Sequence, residues 1–134
     1  MKQNIYHAII LVIGTWALQG CKKDADQWVG IYNGKAGQSI QRVLVNKVDG
    51  KTLKVELQSV AGSLYFTYAT IQSAKLNSAT EATIDEDGQI AGFSGTYRFS
   101  GSMTRNGNSL TISGKATNKA NPADISPYYF TGSK

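Results

Sequence analysis

Beyond residue 28 the chain alternates apolar and polar side chains with a period of two. Leu53, Val55 and Leu57 share one face of Thr52–Gln58, with Lys54 and Glu56 opposite. Leu110 and Ile112 repeat the pattern in Ser109–Lys115, and Phe93, Gly95, Tyr97 and Phe99 fall on one face of Ile90–Phe99. Alternation of this kind marks strands with one buried face. Turn signals separate the runs at Asp49-Gly50, Asp87-Gly88 and Asn106-Gly107. Asp49-Gly50 predicts a tight hairpin with positive φ, and the acidic Asp85–Gly88 stretch reads as a solvated hairpin turn. The predicted segments are Trp28–Asn33, Ser39–Val48, Thr52–Ser59, Leu64–Gln72, Ala79–Asp85, Ile90–Phe99, Gly101–Thr104 and Ser109–Thr117, with a last piece at Tyr128–Gly132 placed to pair with the first. We therefore expect an all-β fold, about eight antiparallel strands in an up-and-down meander closing into a small barrel. A two-sheet β-sandwich is the alternative.

The N-terminal pattern differs. A lysine at position 2 precedes an apolar run from Ala8 to Leu18, about half the roughly 20 residues a spanning helix needs. This is the layout of a secretory signal. The run ends in Leu18-Gln19-Gly20-Cys21, which resembles the lipobox of bacterial lipoproteins, with Gln19 where a small residue is commoner. The resemblance implies removal of residues 1–20 and acylation of Cys21, which would anchor the product to a membrane. Lys22-Lys23-Asp24-Ala25-Asp26 resembles the lysine-plus-acid signal for surface export in Bacteroidota, with Ala25 interrupting the acids. The organisation expected is a signal peptide over 1–20, a lipidated tether over 21–27 and a single β-barrel-like domain over 28–134. An extended tether that short spans only about 20–25 Å, so the domain would lie close to the bilayer. The expected location is the bacterial cell envelope, at the outer membrane and on the surface side.

Composition narrows the chemistry. His7 is the only histidine and Cys21 the only cysteine, so a processed, acylated chain holds neither as a free side chain. Triads built on histidine and zinc sites of His and Cys are then excluded, as are disulfides. The formal net charge of +5 is spread along the chain without basic runs interleaved with aromatics, which argues against nucleic acid. Asp85-Glu86-Asp87-Gly88 lacks the alternating ligands and later glutamate of a calcium loop. No catalytic residues, metal ligands or cofactor are expected, and the chain reads as a non-enzyme.

Trp28-Val29-Gly30-Ile31-Tyr32 resembles the first strand of lipocalin-like (calycin) barrels, although here the tryptophan precedes the glycine. The resemblance implies that Trp28 closes one end of a barrel whose interior takes a small apolar molecule. Candidate ligand-binding residues are Trp28, Tyr65, Phe66, Tyr68, Phe93, Tyr97 and Phe99. Leu64–Tyr68 is apolar or aromatic on both faces and is expected to be buried between layers. The same aromatics could fill the barrel as core, and the shortness of the chain favours that filled interior. The functional expectation is a membrane-anchored module binding a small apolar ligand or an envelope protein. The alternative is a structural or inhibitory lipoprotein with a solid core.

Overall fold

The computed structural model describes residues 24–134; the signal-peptide and Cys21 readings lie outside them. Eight antiparallel strands run in chain order and close into a barrel. They are β1 (Gly30–Ala36), β2 (Ser39–Asp49), β3 (Thr52–Ala61), β4 (Leu64–Leu76), β5 (Glu81–Gly88), β6 (Tyr97–Asn106), β7 (Ser109–Asn118) and β8 (Ile125–Ser133). The meander closes because β8 pairs with β7 along its length and with β1 over Asn33–Ala36. That last pairing closes the sheet on itself, and so the barrel, not the sandwich, is formed.

Closure needs close backbone approach. Gly34 of β1 sits opposite Gly132 of β8, and a Cβ on Gly132 would lie 2.7 Å from the Asn33 carbonyl oxygen. Any side chain at this seam would push the strands apart.

Nine predicted segments become eight strands because one prediction split and misplaced β6. Gly101–Thr104 is continuous with Tyr97–Phe99, and strand pairing stops at Tyr97. Residues 89–96 form a loop instead of the first half of a strand. Gly92 (φ 84°) and Gly95 (φ 93°) hold left-handed backbone there, a region that residues with a Cβ avoid. Phe93 therefore leaves the face it was expected to share with Tyr97 and Phe99. Asp85–Gly88 is likewise not a turn: it is the end of β5, paired with Tyr97–Ser100. At Asp49-Gly50 the hairpin forms without positive φ at Gly50. Its turn is held by the Asp49 carboxylate accepting the Lys51 N–H at 2.9 Å, an Asx turn. That bond is the main reason the Asp49 carboxyl titrates below its ordinary value.

One seam is weak. β4 and β5 share only the pairs Lys75↔Thr83 and Leu76↔Ala82. Above them the Glu86 carboxylate accepts the Gln72 and Ser73 N–H groups at 2.9 and 2.8 Å. A side chain stands in for missing strand carbonyls, keeping two backbone donors paired.

Candidate functional site

The two ends of the barrel are built differently. At one end, residues 24–28 form a helical turn before β1. The part of the expected tether that falls in 24–27 is thus coiled against the barrel and not extended, because Ala25 and Trp28 are wholly buried. Trp28 caps the interior, donating its indole N–H to the Ala79 carbonyl at 3.1 Å. Tyr32, in β1, donates its hydroxyl to the Trp28 carbonyl at 2.8 Å.

Arg105 completes this plug. Its guanidinium donates to the Gly107 carbonyl (3.1 Å), the Gln27 side-chain oxygen (2.7 Å) and the Ala79 carbonyl (3.0 Å), and lies 5.8 Å from the Trp28 ring centroid. Its Nε is buried without a partner. No carboxylate is among these partners, so the charge is held by carbonyl dipoles and the aromatic face. Lys134 adds a second strap, donating to the Gln27 and Val29 carbonyls at 2.8 and 2.9 Å. Partial burial, with Arg105 nearby, pushes the Lys134 ammonium below its ordinary pKa. Arg105 was not singled out from sequence, since it sits at an inward position of an otherwise ordinary alternating strand.

Between the plug and mid-barrel the interior is solid. Leu53, Val55, Ala74, Ala82, Met103 and Phe130 are 0% exposed. Towards the other end exposure creeps in, with Leu57 at 7% and Phe99 and Ala116 at 8%. There a cavity of about 280 Å³ opens, lined by Leu57, Ile71, Ile84, Tyr97, Phe99 and Ala116, with Ile90 and Phe93 of the 89–96 loop over it. Backbone bonds hold that loop on both sides, from Ala91 N–H to the Tyr68 carbonyl (2.8 Å) and from Lys119 N–H to the Thr96 carbonyl (3.0 Å). The expectation of a filled interior is therefore corrected for the half distal to Trp28. Small inward residues (Ala69, Gly114 and Ala116 among the lining) do not reach the barrel axis there.

Two tyrosines of the lining, Tyr68 and Tyr128, share a polar partner. Gln41 of β2 accepts the Tyr68 hydroxyl at 2.7 Å and the Tyr128 hydroxyl at 3.1 Å on the same side-chain oxygen. The three residues come from β2, β4 and β8, so the bridge skips over β1 and β3. Burial raises both phenols above the ordinary tyrosine pKa. Tyr128 rises further because a charged Tyr68 would repel it.

The aromatics singled out from sequence separate into two groups. Tyr68, Phe93, Tyr97 and Phe99 line the cavity. Trp28 lies at the opposite, plugged end. Tyr65 and Phe66 are 41% and 49% exposed, not buried between layers, because they follow the Gly62-Ser63 turn where β3 and β4 extend to the rim. Tyr65 instead carries the Arg42 guanidinium 3.8 Å above its ring. Tyr128, which also lines the cavity, and its partner Gln41 were not among those residues. Among the described residues, no three His, Cys, Asp or Glu side chains gather as metal ligands.

No protein-family model and no curated protein matches the chain. Among solved structures, a redesigned beta barrel matches with a TM-score of 0.56 and 12% identity, over 83% of this chain and 94% of that one. The likeness is one of fold. It supports the closed eight-stranded barrel and carries no ligand or activity with it.

Proposed function

We propose that the chain is a non-enzymatic, lipid-anchored binding module of a bacterial cell envelope that holds a small apolar ligand in the open half of its barrel. The observation that carries this reading is the asymmetry of the interior. One half is packed and plugged, while the other is an apolar cavity of about 280 Å³ open at its mouth. Ligand sites are commonly concave, apolar and furnished with a few polar groups. The anchor rests on the sequence alone: the apolar run Ala8–Leu18 and Leu18-Gln19-Gly20-Cys21. A non-enzymatic role is supported by the lack of histidine and cysteine in residues 24–134.

Anchorage at Cys21 would orient the barrel. Residue 24 enters at the plugged end, so that end would face the membrane and the mouth would face away. A strand of 10 residues such as β6 rises about 25 Å at ~3.3 Å per residue and a tilt of ~40°. The mouth would thus stand clear of the headgroups, upright instead of flat on them.

A second reading is favoured by the rim. Ile40, Leu64, Phe93 and Ile125 are 63%, 72%, 66% and 48% exposed, and all lie at the mouth end. An apolar collar of this kind suits an envelope protein that caps the barrel.

Saturable binding of the neutral fluorophore N-phenyl-1-naphthylamine tests the ligand reading. The full chain should bind it, and Ala116→Trp, which fills the cavity, should abolish binding while the protein stays folded. Equal binding by the variant contradicts the site. Cys21→Ser should move the protein from the membrane to the soluble fraction, and retention there contradicts the anchor.

A further inference from the structure

Resting on the ligand reading above, we infer that the cavity selects an uncharged amphiphile, an apolar chain ending in a hydroxyl, whose polar end docks on Tyr68 and Tyr128.

The hydrogen-bond inventory of the bridge leads there. Both tyrosine protons are committed to the Gln41 oxygen. Of the three residues, Tyr68 and Tyr128 line the cavity, and their phenolic oxygens keep acceptor lone pairs. A hydroxyl can donate to them, whereas a carbonyl has no proton to give. A carboxylate needs donors only, and preferably a cation.

No cation is aimed at the bridge. Inward positions near it are Gln41, Tyr68, Ala69, Tyr97, Phe99, Ala116 and Tyr128. Lys115 borders the cavity, but Gly114 and Ala116 on either side of it point inward, so its own side chain points out. Asp124, the other charged residue at the border, is an acid hydrogen-bonded to the Asn118 amide at 3.2 Å, and its field opposes an anion. Arg42, next to Gln41 in sequence, faces outward and is occupied by Gln58 at 2.6 Å and the Tyr65 ring. The only buried guanidinium among the described residues, Arg105, lies at the plugged end, engaged by carbonyls. Raised phenol pKa values keep Tyr68 and Tyr128 neutral through the physiological range. An anionic head would be desolvated at the bridge without compensation, and a cationic head would find only neutral oxygens there, with Asp124 already engaged by Asn118.

The site also has the layout such a ligand requires. Tyr68 and Tyr128 share the lining with the apolar Leu57, Ile71, Ile84, Phe99 and Ile112, which offer a surface to a chain. Ser100, also at the border, faces outward by the same alternation.

The test is displacement of N-phenyl-1-naphthylamine from full-length Cys21→Ser protein, without detergent, by 1-decanol and by decanoate at pH 8. The inference expects decanol to compete at least ~10-fold more strongly than decanoate relative to their partitioning into octanol. Tyr128→Phe and Gln41→Leu should each weaken decanol by about 3- to 10-fold and leave the fluorophore bound. Because Gln41→Leu could disturb folding, the wild-type ligand pair is decisive without it. Equal or stronger competition by decanoate overturns the neutral-head inference and leaves the cavity reading standing. If the fluorophore does not bind the wild-type protein, both fall.

Discussion

The plugged and open ends of this barrel use the same strands and the same alternation, yet they are finished by opposite means. At the plugged end one large side chain, Trp28, fills the axis, and a helical turn, Arg105 and Lys134 tie its surroundings down with carbonyl hydrogen bonds. At the open end small inward residues leave the axis empty, and the large aromatics stand around the wall. The same tyrosine chemistry serves opposite ends. Tyr32 donates to a backbone carbonyl inside the plug, while Tyr68 and Tyr128 converge on one side-chain oxygen beside the cavity.

The largest expected effect follows from removing the plug. Trp28→Ala should cost about 3–5 kcal/mol, read as a lower urea midpoint. Phe93→Ala at the mouth, where the ring is 66% exposed, should cost less than about 1 kcal/mol. Comparable losses would erase the distinction between the two ends.

A matched pair of enlargements sharpens it. Ala82 is wholly buried in the packed half, whereas Ala116 borders the cavity. Ala82→Leu should destabilise by about 1–3 kcal/mol through overpacking. Ala116→Leu should cost less than about 1 kcal/mol, since the added atoms enter free space, and should weaken fluorophore binding.

At the β4–β5 seam, Glu86→Ala strips the acceptor from two backbone N–H groups and should cost about 1–2 kcal/mol. Amide exchange should accelerate at Gln72 and Ser73 first, leaving the strands around Trp28 protected.

The pH dependence is smaller and divides by sign. Tyr32, Tyr68 and Tyr128 have phenol pKa values raised chiefly by burial. Their contribution is complete below the unfolded tyrosine pKa of ~10 and fades as pH rises beyond it, because the unfolded chain ionises first. The urea midpoint should therefore fall above about pH 10, and Tyr128→Phe should flatten that fall.

Asp87 carries the opposite sign. Hydrogen bonds, first from Lys119 and then from Arg98, hold its carboxyl below the ordinary value. Its contribution is present above the unfolded carboxylate range and is lost as pH drops through the lowered value. These ion pairs are exposed, so Asp87→Asn should give the smallest change, one that high salt removes.

Much of this architecture is legible in the sequence. Alternation at Leu53-Val55-Leu57 and Leu110-Ile112 carried the strands, since a half-buried sheet writes its period directly into the chain. The 89–96 loop was misread because Phe93-Gly95-Tyr97-Phe99 keeps strand spacing in sequence while two glycines break it in backbone geometry. The cavity wall was half legible: Tyr68, Tyr97 and Phe99 stand out by type and position. Gln41 and Tyr128 do not, because a bridge between β2, β4 and β8 depends on barrel closure and side-chain reach. The same holds for Arg105, which meets Trp28 only after about 80 residues of intervening chain have coiled into place.

The most direct test of the central claim is methyl NMR during titration with N-phenyl-1-naphthylamine. Saturable shifts should concentrate on Leu57, Ile71, Ile84, Ile112 and Ala116, while Val45, Leu53, Ala82 and Leu110 near the plug stay still. Saturable shifts centred on the plug methyls, or none at all, would contradict the account.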